Sequence, residues 1–276
     1  MKIIATDLDG TLFYPKDKIE MISPKNLYFL QNFIDEGNKV VIISGRSIDF
    51  GKKVINKIGR DCSIIGFNGT CVYSDNQFIE KKTMPNELVK EFIDDTFQTF
   101  KNFGVFLMTD KGVSVHLKTK SKFIRWCAKV YYKSQKIYAE QFSSLESDYE
   151  HELAYGNIYK AMLFFGISKR KMKAASEANK ILRNSFENFE CSWSGPVIEV
   201  TLKGCSKANA LKDFIKLKNY SKDDVYVVGD SGNDISMFKE FYENSFCMEH
   251  SPKSIKKYAR YTIDKFEDLS RYNSEK

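Results

Sequence analysis

Lys2-Ile3-Ile4-Ala5-Thr6-Asp7-Leu8-Asp9-Gly10-Thr11-Leu12 is the stretch whose reading decides the fold. Residues 2–6 are an apolar run without polar alternation, the pattern of a parallel strand buried on both faces. The run ends in two acids, then Gly and Thr. In an open α/β sheet, ligands bind at the carboxyl ends of the strands, so this strand delivers carboxylates to a candidate site. Val225-Tyr226-Val227-Val228-Gly229-Asp230-Ser231-Gly232-Asn233-Asp234 repeats the arrangement far along the chain. Two strand-then-acid segments so distant in sequence point to one shared site.

Charge arithmetic says what such a site requires. Two carboxylates about 4 Å apart repel by roughly 4 kcal/mol at an effective dielectric near 20. Several converging acids therefore need a counter-charge. Mg²⁺ answers with oxygen ligands from one or two carboxylates, leaving positions for water or phosphate oxygens. The acid clusters thus imply Mg²⁺ and a phosphate ligand.

Around these clusters the chain alternates strand and helix. Ser23-Pro24 opens a helix with an N-cap and a proline at the first helical position. Leu27, Leu30, Phe33 and Ile34 share one of its faces. Lys39–Ile43 reads as a strand, Ile48–Ile58 as a helix and residues 63–67 as a strand. This β-α-β-α-β order predicts a parallel sheet with right-handed crossovers. The middle is α+β instead. Helices are predicted at 87–100, 124–130 and 169–186, a hairpin at 105–108 and 113–117, and strands at 159–165, 190–193 and Val197–Leu202. The first pattern then resumes, with helix at 207–215, strand at 224–228, helix Ile235–Glu240, strand Ser245–Met248 and helix at 254–259.

Composition sets limits. A chain of 276 residues fits one large domain plus an insertion. Its net charge of +7 comes from 43 basic and 36 acidic residues without a dense basic block, which argues against a nucleic-acid module. Asp7 and Asp9 interrupt the place where a secretory signal core would lie, and no apolar run approaches the ~20 residues of a membrane span. Six scattered cysteines make neither a zinc pattern nor a disulfide framework; reduced thiols and a cytoplasmic location are the expectation. His116, His151 and His250 are too dispersed for a zinc site.

Asp7-Leu8-Asp9-Gly10-Thr11-Leu12 resembles the first motif of the haloacid dehalogenase-like phosphatases. Three further segments follow in that family's order: Val40-Val41-Ile42-Ile43-Ser44-Gly45-Arg46, Lys203-Gly204-Cys205-Ser206-Lys207, and Gly229-Asp230-Ser231-Gly232-Asn233-Asp234. Ile65-Gly66-Phe67-Asn68-Gly69-Thr70 resembles the Asn-Gly-Ala element of the Cof-type branch (subclass IIB), with Thr70 in place of Ala. The resemblance implies an α/β fold: a doubly wound, Rossmann-like parallel-sheet core at 1–83 plus 195–276, with an inserted C2-type α+β cap at 84–194. It implies a Mg²⁺-dependent phosphatase of small phosphorylated metabolites, a monomer or weak homodimer that binds neither nucleic acid nor membrane. A phosphomutase or phosphotransferase, or a non-catalytic phosphometabolite sensor, are the alternatives.

The same resemblance assigns roles. Asp7 would be the nucleophile and Asp9 the general acid and base, with Asp7, the Asp9 carbonyl and Asp230 as metal ligands. Leu8, Ser44, Gly45, Lys207 and Asn233 would bind phosphate, and Lys207 would also neutralise charge on Asp7. Lys203 is a competing lysine. Thr11, Asn68 and Asp234 would support the site, Asp234 through Lys207 or a metal-bound water. Arg46 would contact substrate or pair with an acid. Phe142, Tyr155, Tyr159 and Trp193 are candidates to stack on a substrate ring or to serve the core. The turn Phe246-Cys247-Met248-Glu249-His250-Ser251-Pro252 departs from the family's Met-Gly-Asn-Ala-like turn.

Overall fold

In a computed structural model, which describes residues 1–15, 21–100, 104–118 and 141–273, β1 (Ile3–Thr6) is buried at every position. It lies between β2 (Lys39–Ile43) and β12 (Val225–Gly229), parallel to both, with Thr6 level with Ile42 and Val228. The helix expected at residues 124–130 lies outside the described residues.

The chain divides into two units, Met1–Glu80 with Ser206–Lys276, and Lys81–Cys205. In the first unit, β3 (Ser63–Gly66) extends the parallel sheet beyond β2, and β13 (Ser245–Met248) and β14 (Tyr261–Ile263) extend it beyond β12. β4 (Cys71–Ser74) pairs antiparallel with β3, and β5 (Gln77–Lys81) closes that edge. The chain winds outward one way through β1, β2 and β3, and the other way through β12, β13 and β14. The winding therefore reverses between β1 and β12, the kind of switch point where an open α/β sheet forms its ligand crevice.

Helices cover both faces because the strands are apolar on both. α1 (Pro24–Asp35) starts at Ser23, whose hydroxyl accepts the Asn26 N–H at 3.3 Å, and buries Leu30 and Phe33. α2 (Ile48–Ile58) is capped the same way by Ser47. Ile3, Ala5, Val41, Ile43, Val225 and Val227 pack against Ala208, Leu211, Phe214 and Ile215 of the helix that follows residue 206.

The second unit holds α3 (Asn86–Thr99), β6 (Gly104–Thr109), β7 (Gly112–Leu117), β8 (Phe142–Ser143), α4 (Glu146–Tyr155), β9 (Lys160–Phe164), α5 (Lys169–Ser185), β10 (Phe189–Ser194) and β11 (Val197–Leu202). Among the described residues its sheet runs β10-β11-β9-β6-β7-β8, antiparallel except at β7–β8. Val105, Leu107, Ala161, Leu163, Ile198 and Val200 meet Phe92 and Ile93 of α3 and Ala175, Ala178 and Leu182 of α5 in one core. β11 pairs with β10 and β9, so this unit continues past the sequence boundary at residue 194 to Cys205. No helix among the described residues is long and apolar enough to cross a membrane.

The remaining differences from the sequence reading are local. The helix expected at 254–259 is only the single turn Lys253–Lys256, followed by β14. β4, β5, β8, α4 and β14 are additions. The hairpin loop shortens to Asp110-Lys111, because Thr109 still pairs with Gly112.

Candidate active site

Asp7 stands at the carboxyl end of β1, its N–H bonded to the Val228 carbonyl at 3.0 Å. Residues 8–12 then make one wide turn, with Leu12 N–H on Asp7 O at 3.3 Å and Phe13 N–H on Leu8 O at 2.9 Å. Gly10 takes φ +81° in that turn, and a Cβ there would sit 2.8 Å from Asp230 Cγ. Glycine is required twice over, for its left-handed backbone and for the close approach of the Asp230 carboxylate. Thr11 Oγ1 donates to Asp230 Oδ1 at 3.2 Å, tying the first motif to the last.

Lys207 is the first residue of α6 (Lys207–Leu217), where the Ser206 hydroxyl caps the helix by accepting the Asn209 N–H. Its Nζ donates to Asp7 Oδ1 at 2.6 Å and to Asp234 Oδ1 at 2.7 Å, and all three side chains are buried. Asp234 Oδ2 accepts the backbone N–H groups of Asp230 at 3.0 Å and Ser231 at 2.9 Å, and the Ser231 hydroxyl at 3.3 Å. The loop after β3 lies directly on the start of α6: at Gly69, φ +106°, a Cβ would meet the Ser206 carbonyl at 2.5 Å and Ala210 Cβ at 3.0 Å. Lys203, the competing lysine, is exposed, pairs with Glu190 at 3.9 Å and belongs to the second unit.

Asp9 turns away from this cluster. Its half-exposed carboxylate takes a bidentate pair from Arg46, Nε to Oδ2 at 2.5 Å and Nη2 to Oδ1 at 2.6 Å. Arg46 lies over the Phe50 ring at 4.2 Å, which fixes the plane of the guanidinium. Of the two sequence expectations for Arg46, the structure holds pairing with an acid. Ser44, buried at the end of β2, accepts the Arg46 N–H on its hydroxyl at 3.2 Å, with Gly45 in the same turn. The Ser44 carbonyl accepts the Asn68 N–H at 3.0 Å, and Asn233 Nδ2 donates to Asn68 Oδ1 at 3.4 Å. Leu8 is fully buried.

One neighbour has no counterpart in the sequence expectations. Tyr14 stacks on His250, with ring centroids 4.1 Å apart and planes at 26°. His250 Nε2 lies 3.9 Å from Asp230 Oδ2. The sequence marks the turn at His250 as a departure but offers no sign of Tyr14, since nothing local links residues so far apart. The four aromatic candidates lie in the second unit. Tyr159 is buried and donates to Asp110 Oδ1 at 2.7 Å, Trp193 donates to the Gly195 carbonyl at 2.7 Å, Tyr155 is exposed and Phe142 is half-buried in β8.

The electrostatics follow from burial. Desolvation pushes the Asp7 carboxyl well above its ordinary range; Lys207 opposes this, while Asp234, Asp230 and Asp9 add to it. Desolvation and the Asp234 charge push Asp230 from 3.8 to about 7. Burial would lower Lys207, but Asp234 and Asp7 outweigh it and hold the ammonium charged. Ligand oxygens of Asp7, Asp230 and Asp234 lie within 4.8 Å of one another. Among the described residues the cluster carries more acids than Lys207 balances, an oxygen-only set that fits a hard divalent cation. Both Asp234 oxygens are already engaged by N–H and O–H donors, which leaves Asp7 and Asp230 as the oxygens open to an ion.

A family model described as haloacid dehalogenase-like hydrolase matches residues 4–270. A 5-amino-6-(5-phospho-D-ribitylamino)uracil phosphatase of Bacillus subtilis is 25% identical over 268 residues, covering 93% of this chain and 90% of its own. A crystal structure from Streptococcus mutans superposes over 100% of both chains with TM-score 0.81 at 20% identity. The subclass IIB sugar phosphatase BT4131 superposes over 99% of both chains with TM-score 0.76 at 19% identity.

Proposed function

Because the chain belongs to the haloacid dehalogenase-like hydrolases, we propose that it is a Mg²⁺-dependent phosphatase of small phosphorylated metabolites, working through an aspartyl-phosphate. The observation that carries this reading is the buried Asp7–Lys207–Asp234 chain beside Asp230 at the sheet's switch point. Asp7 and Asp230, with the Asp9 carbonyl, would hold the ion. Bound there, it would supply positive charge that favours the carboxylate form of both acids and draws in a phosphoryl group.

In the proposed reaction an Asp7 carboxylate oxygen attacks phosphorus, and the bond from phosphorus to the ester oxygen breaks. Asp9 gives that oxygen a proton, so the alcohol leaves neutral. Asp9, now a carboxylate, takes a proton from water as the water oxygen attacks the phosphorus of the aspartyl-phosphate. Inorganic phosphate departs and Asp7 is regenerated. Phosphoryl transfer is catalysed mostly by position and charge. Lys207 fits that demand: two carboxylates fix its ammonium, so it holds Asp7 in place and meets charge on the transferring group. Ser44, with the Gly45 and Leu8 N–H groups, would receive phosphate oxygens, and Asn233, steadied by Asn68, would complete the cradle. Asp234 would act by orienting Lys207. Arg46 holds Asp9 at rest and would have to release it when the phosphate arrives.

Names of relatives support the substrate class. One is named a 5-amino-6-(5-phospho-D-ribitylamino)uracil phosphatase and another a sugar phosphatase, so a sugar phosphate or a phosphorylated cofactor is the proposed substrate. The test is phosphate release from a panel of such esters with Mg²⁺, with chelator, and with the Asp7→Asn variant. Release should need Mg²⁺ and fall by at least ~10³-fold in the variant, since an amide cannot accept the phosphoryl group. Near-normal release from Asp7→Asn overturns the mechanism. An isomeric phosphate ester in place of free phosphate overturns hydrolysis.

A further inference from the structure

His250 follows β13, the strand beside β12, and β12 delivers Asp230. Gly229 is level with Cys247, so the residues after both strands reach the same edge of the sheet. The turn carrying His250 is fixed by Glu249 N–H on the Ile263 carbonyl at 2.8 Å and Ser251 N–H on the Met248 carbonyl at 3.0 Å. Tyr14, the ring stacked on the imidazole, belongs to the loop that carries Asp7, Asp9 and Thr11. Its N–H bonds the Thr11 carbonyl at 3.1 Å, and its carbonyl accepts from Asn26 Nδ2 at 2.9 Å. The imidazole is thus held between two anchored segments, with one nitrogen aimed at Asp230.

The two Asp230 oxygens have different surroundings. Oδ1 accepts from Thr11, and Oδ2 faces His250 Nε2 at 3.9 Å. That separation is too long for a direct hydrogen bond. It suits a shared water. On an octahedral ion with bonds of about 2.1 Å, a water beside a carboxylate oxygen stands about 3.0 Å from it. A hydrogen bond of ~2.8 Å from that water then reaches a nitrogen about 4 Å from the carboxylate oxygen when the two directions are near right angles.

We propose that His250 is a positioning residue of the metal centre, its Nε2 accepting a hydrogen bond from a hydration water of the ion held at Asp230, with Tyr14 fixing the imidazole. The inference rests on the reading of Asp230 as a metal ligand. Groups that orient an ion's surroundings in this way typically change metal affinity by 10–100-fold when removed.

The experiment is calorimetric titration of Mg²⁺ into the full-length wild type, His250→Ala, His250→Gln and Asp230→Ala, with thermal unfolding of each in chelator. The wild type should bind Mg²⁺ and Asp230→Ala should not. His250→Ala should weaken Mg²⁺ binding about 10–100-fold. His250→Gln, whose side-chain carbonyl can accept the same bond, should recover a large part of that loss. The metal-free unfolding midpoints of the wild type and His250→Ala should lie close together. Equal Mg²⁺ affinity in the wild type and His250→Ala overturns the inference and leaves the metal reading standing. Loss of affinity with a matching fall in the metal-free midpoint and no recovery in His250→Gln also overturns it, since a collapsed turn would then be the cause. Absence of Mg²⁺ binding by the wild type overturns both readings.

Discussion

Replacing Lys207 with Met keeps an apolar stem of similar length and removes the ammonium that bridges Asp7 and Asp234. At 2.6 and 2.7 Å each contact is worth about 6 kcal/mol of attraction at an effective dielectric near 20. Burying the ammonium and the acids costs several kcal/mol per ion and offsets most of this. The imbalance appears when one partner goes. Asp7, Asp230 and Asp234 lie with oxygens within 4.8 Å, and without Lys207 they repel at a site where Asp7 and Asp234 are buried. Breaking a buried pair in this way costs ~3–5 kcal/mol. For a unit of this size that lowers the melting temperature by roughly 10 °C. The loss should depend on pH. Unpaired acids in the folded variant have pKa values raised above those of the unfolded chain, so they destabilise the fold as pH rises and are relieved as they take up protons. Thermal unfolding in chelator at pH 7.5 and pH 5 reads both effects, and the gap from the wild type should be clearly larger at pH 7.5. Adding Asp234→Asn should recover part of the loss, because an amide oxygen can still accept the Asp230 and Ser231 N–H groups with one charge fewer. A loss below ~1 kcal/mol at pH 7.5, or the same loss at both pH values, refutes the argument.

Gly10→Ala should cost ~1–2 kcal/mol for its left-handed backbone and push Asp230 from its place, since the new methyl would stand 2.8 Å from Asp230 Cγ. Mg²⁺ affinity should fall at least ~10-fold, and a calorimetric titration indistinguishable from wild type would show that the close approach is not needed. Asp230 itself links stability to pH. Its folded pKa of about 7 lies above the ordinary 3.8, so the native chain holds a proton that the unfolded chain has lost, and this group's contribution falls as pH rises through that window. In chelator, Asp230→Asn should therefore lose less stability than the wild type between pH 4.5 and pH 7.5. Parallel melting-temperature profiles would contradict the linkage.

Much of the first unit is legible because its physics is local. A parallel strand buried on both faces must be apolar throughout, so β1, β2 and β12 stand out as runs, and the polar residues that end them are conspicuous. Lys207 stands out from Lys203 because it directly precedes an apolar helix, and the structure adds the Ser206 cap that starts α6. Where the reading stops, the missing term is a contact or a weak pattern. β4 and β5 join through Asp75 and Asn76, both left-handed at φ 51° and 60°. That dipeptide is a recognisable hairpin signal, but the strands beside it are only four and five residues long. α4 buries only Tyr149 and Glu152 among its ten residues, so it carries no apolar stripe. β11 reads correctly as a strand, yet its sheet depends on β9 and β10, and the unit boundary moves with that pairing.

The site shows the same division more sharply. The sequence supplies each acid with its strand, but the allocation of partners among them is decided by distance. Asp7 and Asp9 are two residues apart and meet opposite environments: one is buried against Lys207, the other half-exposed against Arg46. The wide turn at residues 8–12 begins between them, directly after Asp7, whose backbone is still extended at φ −69° and ψ 165°. Asp234 is likewise separated from Asp230 by its donors: three N–H or O–H groups and one ammonium occupy its oxygens, whereas Asp230 has one hydroxyl and a histidine at 3.9 Å. An acid already surrounded by donors is a poor ion ligand, and one that is not is a good ligand. The chemistry of this cluster is therefore written less in which acids are present than in how many hydrogen-bond donors each has been given.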